Sequence, residues 1–439
     1  MSDMGAKRLG PLGEFRRAAA SLAIAAAAAI LPAGGAAAFT EQVLHTFTAG
    51  DGRNVEATLA RDQAGNLYGT TRLGGLSDDG TVFEMVRQHN GSWKFKRLYN
   101  FCARAACTDG QFPDSDRLIL DTAGRLYGTT ARGGAGNQGV AYMLTPNETR
   151  SRWTLQVLHH FCTRDSNCPD GAQPSSGLTY QGVEDGVPFD GVSPLFGVTS
   201  RGGWPDKGIA YTLINPRGDW IEQDIHVFCT LGNCADGSQP KGDLTMDIAG
   251  NLYGAASAGA NGGGTIFKLS PPASGHLWNP SVLYTFCQLA NCADGSGPNG
   301  ALVFDGSGNA FGTTLEGGAH ASGTIFELAA GGAETVLRSF CAKTNCIDGS
   351  TPHAGLVIDG AGRLFGTTYF GGAANAGTAF RWTSTFFSVL YSFCSQPSCA
   401  DGSGASGGLL REGTGSLFGT TISGGTVSPQ EGTVYELVP

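Results

Sequence analysis

Residues 65–71 read GNLYGTT, and variants of this phrase return six more times. The copies are 124–130 (GRLYGTT), the weaker 195–199 (LFGVT), 250–256 (GNLYGAA), 308–314 (GNAFGTT), 362–368 (GRLFGTT) and 415–421 (GSLFGTT). The glycine after the aromatic serves as a marker: Gly69, Gly128, Gly197, Gly254, Gly312, Gly366 and Gly419 lie 59, 69, 57, 58, 54 and 53 residues apart. A period of that size belongs to blade-like or solenoid repeats, so the chain reads as one repeat array rather than a string of unrelated domains.

Within a repeat, four strand-like runs follow one another. In the fifth copy they are 301–304 (ALVF), the marker run NAFGTT, 323–328 (GTIFEL) and 335–340 (TVLRSF), with DGSGN and a GlyGly loop between the first three. β-Branched and aromatic residues in runs of this length, bounded by Gly, Asn, Asp and Pro, favour strands. No amphipathic helix is expected after residue 38. The third and fourth runs are joined by a short link, but about 14 residues separate Phe340 from Gly355 at the start of the next copy. Crossing three strand spacings requires roughly 14 Å, so this long link fits a meander whose fourth strand is outermost and whose successor starts innermost.

The two ends complement each other. The last run, 432–437 (GTVYEL), has no fourth strand after it, and the first, 42–47 (QVLHTF), is a fourth strand with no third before it. The expected fold is therefore all-β, a seven-bladed β-propeller of four-stranded antiparallel blades over residues 41–439. An N-terminal strand completes the C-terminal blade and removes an open edge. An open β-solenoid would leave both end runs unpaired.

Lys7, Arg8, Arg16 and Arg17 precede an almost uncharged run, 18–38, that ends in Ala36, Ala37 and Ala38. This order reads as a signal peptide over 1–38, cleaved near Ala38, and places the protein in the periplasm or outside the cell. Pro32, Gly34 and Gly35 disfavour an uncleaved spanning helix. The Arg16–Arg17 pair does not decide between general and twin-arginine export. Removing 1–38 moves the formal charge from -9 to -11, with 24 basic against 35 acidic side chains. Nucleic acid and anionic membranes are poor partners for such a surface.

All 12 cysteines fall into local pairs: Cys102 and Cys107, Cys162 and Cys168, Cys229 and Cys234, Cys287 and Cys292, Cys341 and Cys346, Cys394 and Cys399. Each pair follows a Phe and precedes AspGly. An even count in an exported chain reads as six disulfides; two cysteines per repeat supply half of a zinc site, so no metal is expected. The first repeat passes from Phe47 to Asp51 without cysteines, so the pairs staple a loop insertion.

The phrases VLYTFC, DGSGPNGALVFDGSGNAFGTT and LEGGAHASGTIFEL resemble the bacterial GloVer tandem repeat of choice-of-anchor exported proteins, over nearly all of 41–439. The resemblance, with its kelch-like GlyGly doublets, implies an extracytoplasmic protein with no assigned biochemical role. The sequence stops with the last repeat, so anchoring by a C-terminal sorting tail is not expected.

Chemistry that repeats in every copy reads as scaffold. This covers the AspGly acids (Asp51, Asp109, Asp170, Asp236, Asp294, Asp348, Asp401), the Thr pairs and the outer-strand Trp93, Trp153, Trp220 and Trp278. His45, His159, His160 and His226 show no phase-matched Cys or carboxylate partner. The two positions before each GlyGly vary, and from them Arg72, Arg132, Arg201, Glu316 and Tyr369 form the candidate ligand patch. The expected function is a non-catalytic scaffold or binding module for a protein or cell-surface glycan, monomeric and without a cofactor. The rivals are a polysaccharide lyase or hydrolase, for which Glu316, Glu412 and Asp206 are the acids to inspect, and a purely structural envelope protein.

Overall fold

The computed structural model describes residues 39–113, 117–183, 186–428 and 430–439; the expected signal peptide lies outside the described residues. The described chain forms seven four-stranded antiparallel sheets arranged as a propeller. Blade 5 shows the pattern from inside to outside: Ser296–Phe304, Ala310–Glu316, Thr324–Leu328 and Glu334–Ser339. Blade 7 runs Leu410–Arg411, Leu417–Thr421, Thr433–Val438 and then Thr40–Thr46, so the N-terminal strand completes the C-terminal blade as expected. No helix among the described residues is long and apolar enough to cross a membrane.

The marker phrase explains the blade's internal packing. In every blade the glycine pairs across the sheet with a third-strand aromatic, Gly69 with Phe83, Gly128 with Tyr142 and Gly312 with Phe326 among them. A Cβ on Gly312 would come within 2.6 Å of the Phe326 ring and 2.9 Å of Leu302, so the aromatic lies over a strand that must lack a side chain there. Each third strand also meets its outer strand through a register shift beside that aromatic, as between Ile325 and Phe326. The residue left out of the ladder is Leu98, Leu158, Ile225 or the equivalent Leu.

The Thr pair divides between two tasks, because successive strand residues point to opposite faces. The first Thr bolts blades together: Thr129, Thr313, Thr367 and Thr420 donate to the carbonyls of Ser176, Ala354, Gly407 and Ala57 in the following blade. The second stays within its blade; the Thr314 and Thr324 hydroxyls lie 2.9 Å apart. The outer-strand tryptophans pack on the preceding blade's marker aromatic, as Trp278 does on Phe196 and Trp93 on Phe418. The last contact joins blade 1 to blade 7, where Phe47, Leu59 and Phe83 share a core with Phe418 and Val434. Arg61 closes the same junction with a 2.6 Å ion pair to Glu412.

All six expected disulfides are present: Cys102 with Cys107, Cys162 with Cys168, Cys229 with Cys234, Cys287 with Cys292, Cys341 with Cys346 and Cys394 with Cys399. The all-β class stands, and the second cysteine of five pairs ends a short coil within its linker. Cys107, Cys234, Cys292, Cys346 and Cys399 each end a three-residue 3-10 turn: Ala105–Cys107, Gly232–Cys234, Ala290–Cys292, Thr344–Cys346 and Pro397–Cys399. The reason is reach. Residues five apart would stand roughly 16 Å from each other in an extended chain, yet a bridge requires their Cα atoms to meet, here at 4.0 Å. The loop must therefore coil. The Cys234, Cys346 and Cys399 N–H groups donate to the carbonyls of Leu231, Lys343 and Gln396, three residues back, at 2.9 to 3.1 Å. Each of these cysteines then turns to the left-handed region, with φ of 52, 50 and 52°, and aims its sulfur back at the start of the loop.

Each cystine loop wraps the AspGly acid, which is buried in blades 2 to 7. Asp294 accepts the backbone N–H groups of Gln288 and Leu289 at 2.9 and 3.2 Å and the Tyr284 hydroxyl at 3.0 Å. These acids are loop caps, in keeping with the scaffold reading.

The histidines require a correction. His45, His159 and His226 lie 3.6, 3.4 and 3.8 Å from Asp51, Asp170 and Asp236. They occupy the outer-strand position that Tyr99, Tyr284, Tyr391 or Arg338 fills elsewhere, all reaching the same acid. The partner lies across the cystine loop, and its donor changes chemical type from blade to blade. Burial holds the His45 and His226 pKa values below the ordinary histidine value. These pairs stitch the linker to the outer strand.

Candidate functional site

The inter-blade linkers and the GlyGly loops share one face. In all seven blades the residue after AspGly pairs with the second position before the GlyGly doublet: Arg53 with Leu73, Gln111 with Arg132, Ala172 with Arg201, Ser238 with Ala258, Ser296 with Glu316, Ser350 with Phe370 and Ser403 with Ser423. From there each linker descends into its inner strand. Neighbouring inner strands come together at glycine: a Cβ on Gly242 would lie 2.6 Å from the Gly300 Cα.

At the top of this ring the fourth linker residue after AspGly presents a different side chain in nearly every blade. Glu56, Ser175, Lys241, Asn299, His353 and Ser406 line a cavity of about 260 Å³ together with Thr70, Arg72 and Pro113. In repeat 2 the corresponding residue is Asp114, outside the described residues. Lys241 and His353 are exposed, Glu56, Asn299 and Arg72 are half-buried, and Ser406 is buried. Asn299 donates to the His353 carbonyl at 2.6 Å, and the Ser175 hydroxyl donates to the Pro240 carbonyl at 2.7 Å, so the rim is tied between blades. The Ser406 Oγ is buried with no hydrogen-bond partner among the described residues. The mouth therefore offers a carboxylate, two or three cationic groups, an amide and a hydroxyl within one recess. Such a set can engage a ligand rich in hydroxyls from several sides.

The five residues expected to form a patch divide by the pleat of the strand. Arg72 and Tyr369 occupy the first position before GlyGly and turn toward the channel. Arg72 lines the mouth, while the Tyr369 ring centroid sits 6.0 Å from that of His353. Burial, with the Glu56 charge second, raises the Tyr369 hydroxyl pKa. Arg132, Arg201 and Glu316 occupy the second position and point away. Arg201 enters a separate cleft beside Trp204, and Arg132 and Glu316 line neither cavity among the described residues.

Of the acids to inspect, two are structural. Glu412 fills the turn position held by Asp62, Asp121, Asp247, Asp305 and Asp359 elsewhere, and it binds Arg61 and Arg87 at 2.6 and 3.3 Å. Asp206 accepts the Gly202 N–H at 2.8 Å, as Asp78 and Asn375 cap their own GlyGly turns. Neither breaks the repeat. The mouth ring carries no constant letter and so stands outside the periodic pattern, although its variation after the linker proline is visible in the letters PSS, PKG, PNG and PHA.

A larger cavity, about 880 Å³, opens on the opposite face between the hairpins of blades 1 to 3. Its floor is apolar, with Leu59, Leu118 and Leu120, and most of its charges are paired: Asp62 with Tyr68, Asp121 with Arg125, Arg61 with Glu412 and Arg150 with Tyr68. Size and chemistry thus sit at opposite ends of the molecule, and it is the smaller recess that gathers the unrepeated polar side chains. Asp79, Cys102 and Cys107 form a cluster of metal-ligand types, but both sulfurs are in a disulfide and offer no thiolate.

The Gloeobacter/Verrucomicrobia repeat profile matches residues 30–187 and 186–357. No curated protein matches the sequence significantly. Among solved structures, the chain is similar to a Bacteroides uniformis protein assigned by inference as a 6-phosphogluconolactonase, at 14% identity and a TM-score of 0.46, covering 77% of this chain and 84% of that one. It is also similar to a puromycin hydrolase variant, at 10% identity and a TM-score of 0.46, over 83% and 50% of the two chains. The PQQ-bound aldose sugar dehydrogenase of Streptomyces coelicolor gives 13% identity and a TM-score of 0.40 over 91% and 98%. No role is transferred from these likenesses.

Proposed function

This chain belongs to the Gloeobacter/Verrucomicrobia repeat family, and we propose that it is an exported, monomeric binding module. It takes a cell-surface glycan at the linker-face mouth of its channel and catalyses no reaction on it. The observation that carries this reading is the contrast inside one linker. The AspGly acid is the same in every blade, whereas the residue five positions after it is Glu56, Ser175, Lys241, Asn299, His353 or Ser406. A scaffold needs only the first of these.

Export is supported by six cystines, which persist in oxidising compartments. A compact polar recess suits a sugar better than a protein, whose docking needs on the order of 800 Å² per partner. The test is a glycan array probed with the wild type and with a Lys241→Ala/His353→Ala variant. The wild type is expected to bind a restricted set of glycans and the variant to lose them. Equal binding by both proteins would sink the proposal, and release of reducing ends from a bound glycan would remove its non-catalytic part.

A further inference from the structure

A second polar recess lies off the axis, at the junction of blades 2 and 3. It is a cleft of about 270 Å³, and its walls include Trp204, Arg201, Asp206, Gln138, Gln173 and Asn167. Trp204 is 79% exposed, whereas the other five tryptophans are buried or half-buried. Its position in the repeat is filled elsewhere by Leu76, Ala135, Ala260, Ala319, Ala373 and Thr426, so the fold does not call for an indole there.

The walls of the cleft are tied to one another. Asp206 caps the Gly202 N–H at 2.8 Å and meets Arg201 at 3.2 Å, and the Gln173 amide donates to the Gln138 side-chain oxygen at 3.3 Å. An open aromatic face flanked by planar amides, a guanidinium and a carboxylate matches a pyranose. The apolar C–H face of the sugar covers the ring, and its equatorial hydroxyls meet the fork-like donors and acceptors. A protein partner would need a contiguous apolar patch, and here one indole stands among polar groups.

We propose that the Trp204 cleft is a saccharide-binding subsite distinct from the mouth, taking one or two sugar rings of a neutral or mildly acidic glycan. It does not rest on the mouth reading. The test is tryptophan fluorescence of the full chain titrated with cellotetraose, xylotetraose, maltotetraose and chitotetraose, because Trp204 is the indole in open solvent. At least one oligosaccharide should give a saturable blue shift that Trp204→Ala abolishes. Trp204→Phe should retain the binding by calorimetry, and Arg201→Ala should weaken it about tenfold.

The Lys241→Ala/His353→Ala variant should leave this affinity unchanged, which separates failure of the cleft from failure of the mouth. No saturable shift with any of the four, or a shift that survives Trp204→Ala, overturns the subsite. A shift produced by a casein peptide digest and by no oligosaccharide also overturns it. With Trp204 79% exposed, loss of folding is not expected for Trp204→Ala, and an unchanged thermal midpoint checks this.

Discussion

The linker entering blade 1 and the linker entering blade 5 hold the same carboxylate in different surroundings. In the first, Phe47 is followed at once by Thr48, whose N–H and hydroxyl reach Asp51 at 3.3 and 2.8 Å, and the acid keeps 29% of its side chain exposed. In the second, the cystine loop from Cys287 to Cys292 folds over Asp294, which is fully buried and accepts two backbone N–H groups and a tyrosine hydroxyl. The acid is common to both, while the disulfide is not. The cysteines therefore do not create the turn; they roof a carboxylate that caps it. Burial converts a replaceable hydrogen bond into one that water cannot substitute.

That contrast breaks most visibly at the acid itself. Asp294→Ala should destabilise the fold by about 3 kcal/mol, because two backbone N–H groups and a hydroxyl lose a fully buried acceptor together. Asp51→Ala should cost roughly 1 kcal/mol, since solvent reaches its donors. Urea unfolding of the two variants checks the order, and equal losses would mean that the roof does not matter. The next effect is smaller. Replacing Cys287 and Cys292 by Ser should cost about 2 kcal/mol through the freed six-residue loop. It should also let water reach Asp294, so that Asp294→Ala costs less in the Ser/Ser background than in the wild type. An additive double-mutant cycle would contradict the roofing role.

The sequence disclosed most of the ring and little of its upper face, and the reason is the distance over which each feature is written. The blade is local: a glycine opposite an aromatic 14 residues on, as Gly312 is opposite Phe326, imprints a period. Closure was legible because 42–47 and 432–437 are complementary halves of one pattern. The coiling of the loops that end at Cys234, Cys346 and Cys399 was implicit in a five-residue spacing, which only a tight turn can bridge. The pairing of Tyr99 with Asp109, or Arg338 with Asp348, spans ten residues and changes chemistry between blades, so no letter repeats. The division of Arg72 and Tyr369 from Arg132, Arg201 and Glu316 follows from the pleat, because the two positions before GlyGly are successive strand residues and face opposite ways. The insertion in blade 3 shows as the 69-residue interval from Gly128 to Gly197, but its contact does not: the Phe189 carbonyl accepts the Thr122 N–H of blade 2, and nothing in repeat phase anticipates that.

The outer wall sharpens the comparison last, with the smallest effect. Six residues before the outer Phe stand Phe95, Leu155 and Phe387 in three blades, but Glu41, Glu222 and Glu334 in three others, each beside a cystine-loop acid. Burial pushes Glu222 up to about 8, aided by the charges of Asp170 and Asp224; it outweighs Arg164, whose guanidinium lies 2.6 Å away but is 46% exposed. Glu41 and Glu334 rise to about 7 by burial and by Asp401 and Asp294. A carboxyl raised above its unfolded value of about 4.3 stabilises the fold fully below that pH and loses the contribution as pH climbs through 7 to 8. The lowered His45, His160 and His226 act oppositely, losing stability as pH falls below about 6.5, so the wild-type profile alone is a mixture. The clean measurement is the difference in thermal midpoint between Glu222→Gln and wild type. That difference should be near zero below pH 4, where the acid is protonated in both the folded and the unfolded chain, and should grow in favour of Gln as pH rises toward 8, levelling off by pH 9. A difference that stays flat across that range would mean that Glu222 is ionised throughout, with Arg164 rather than burial governing it.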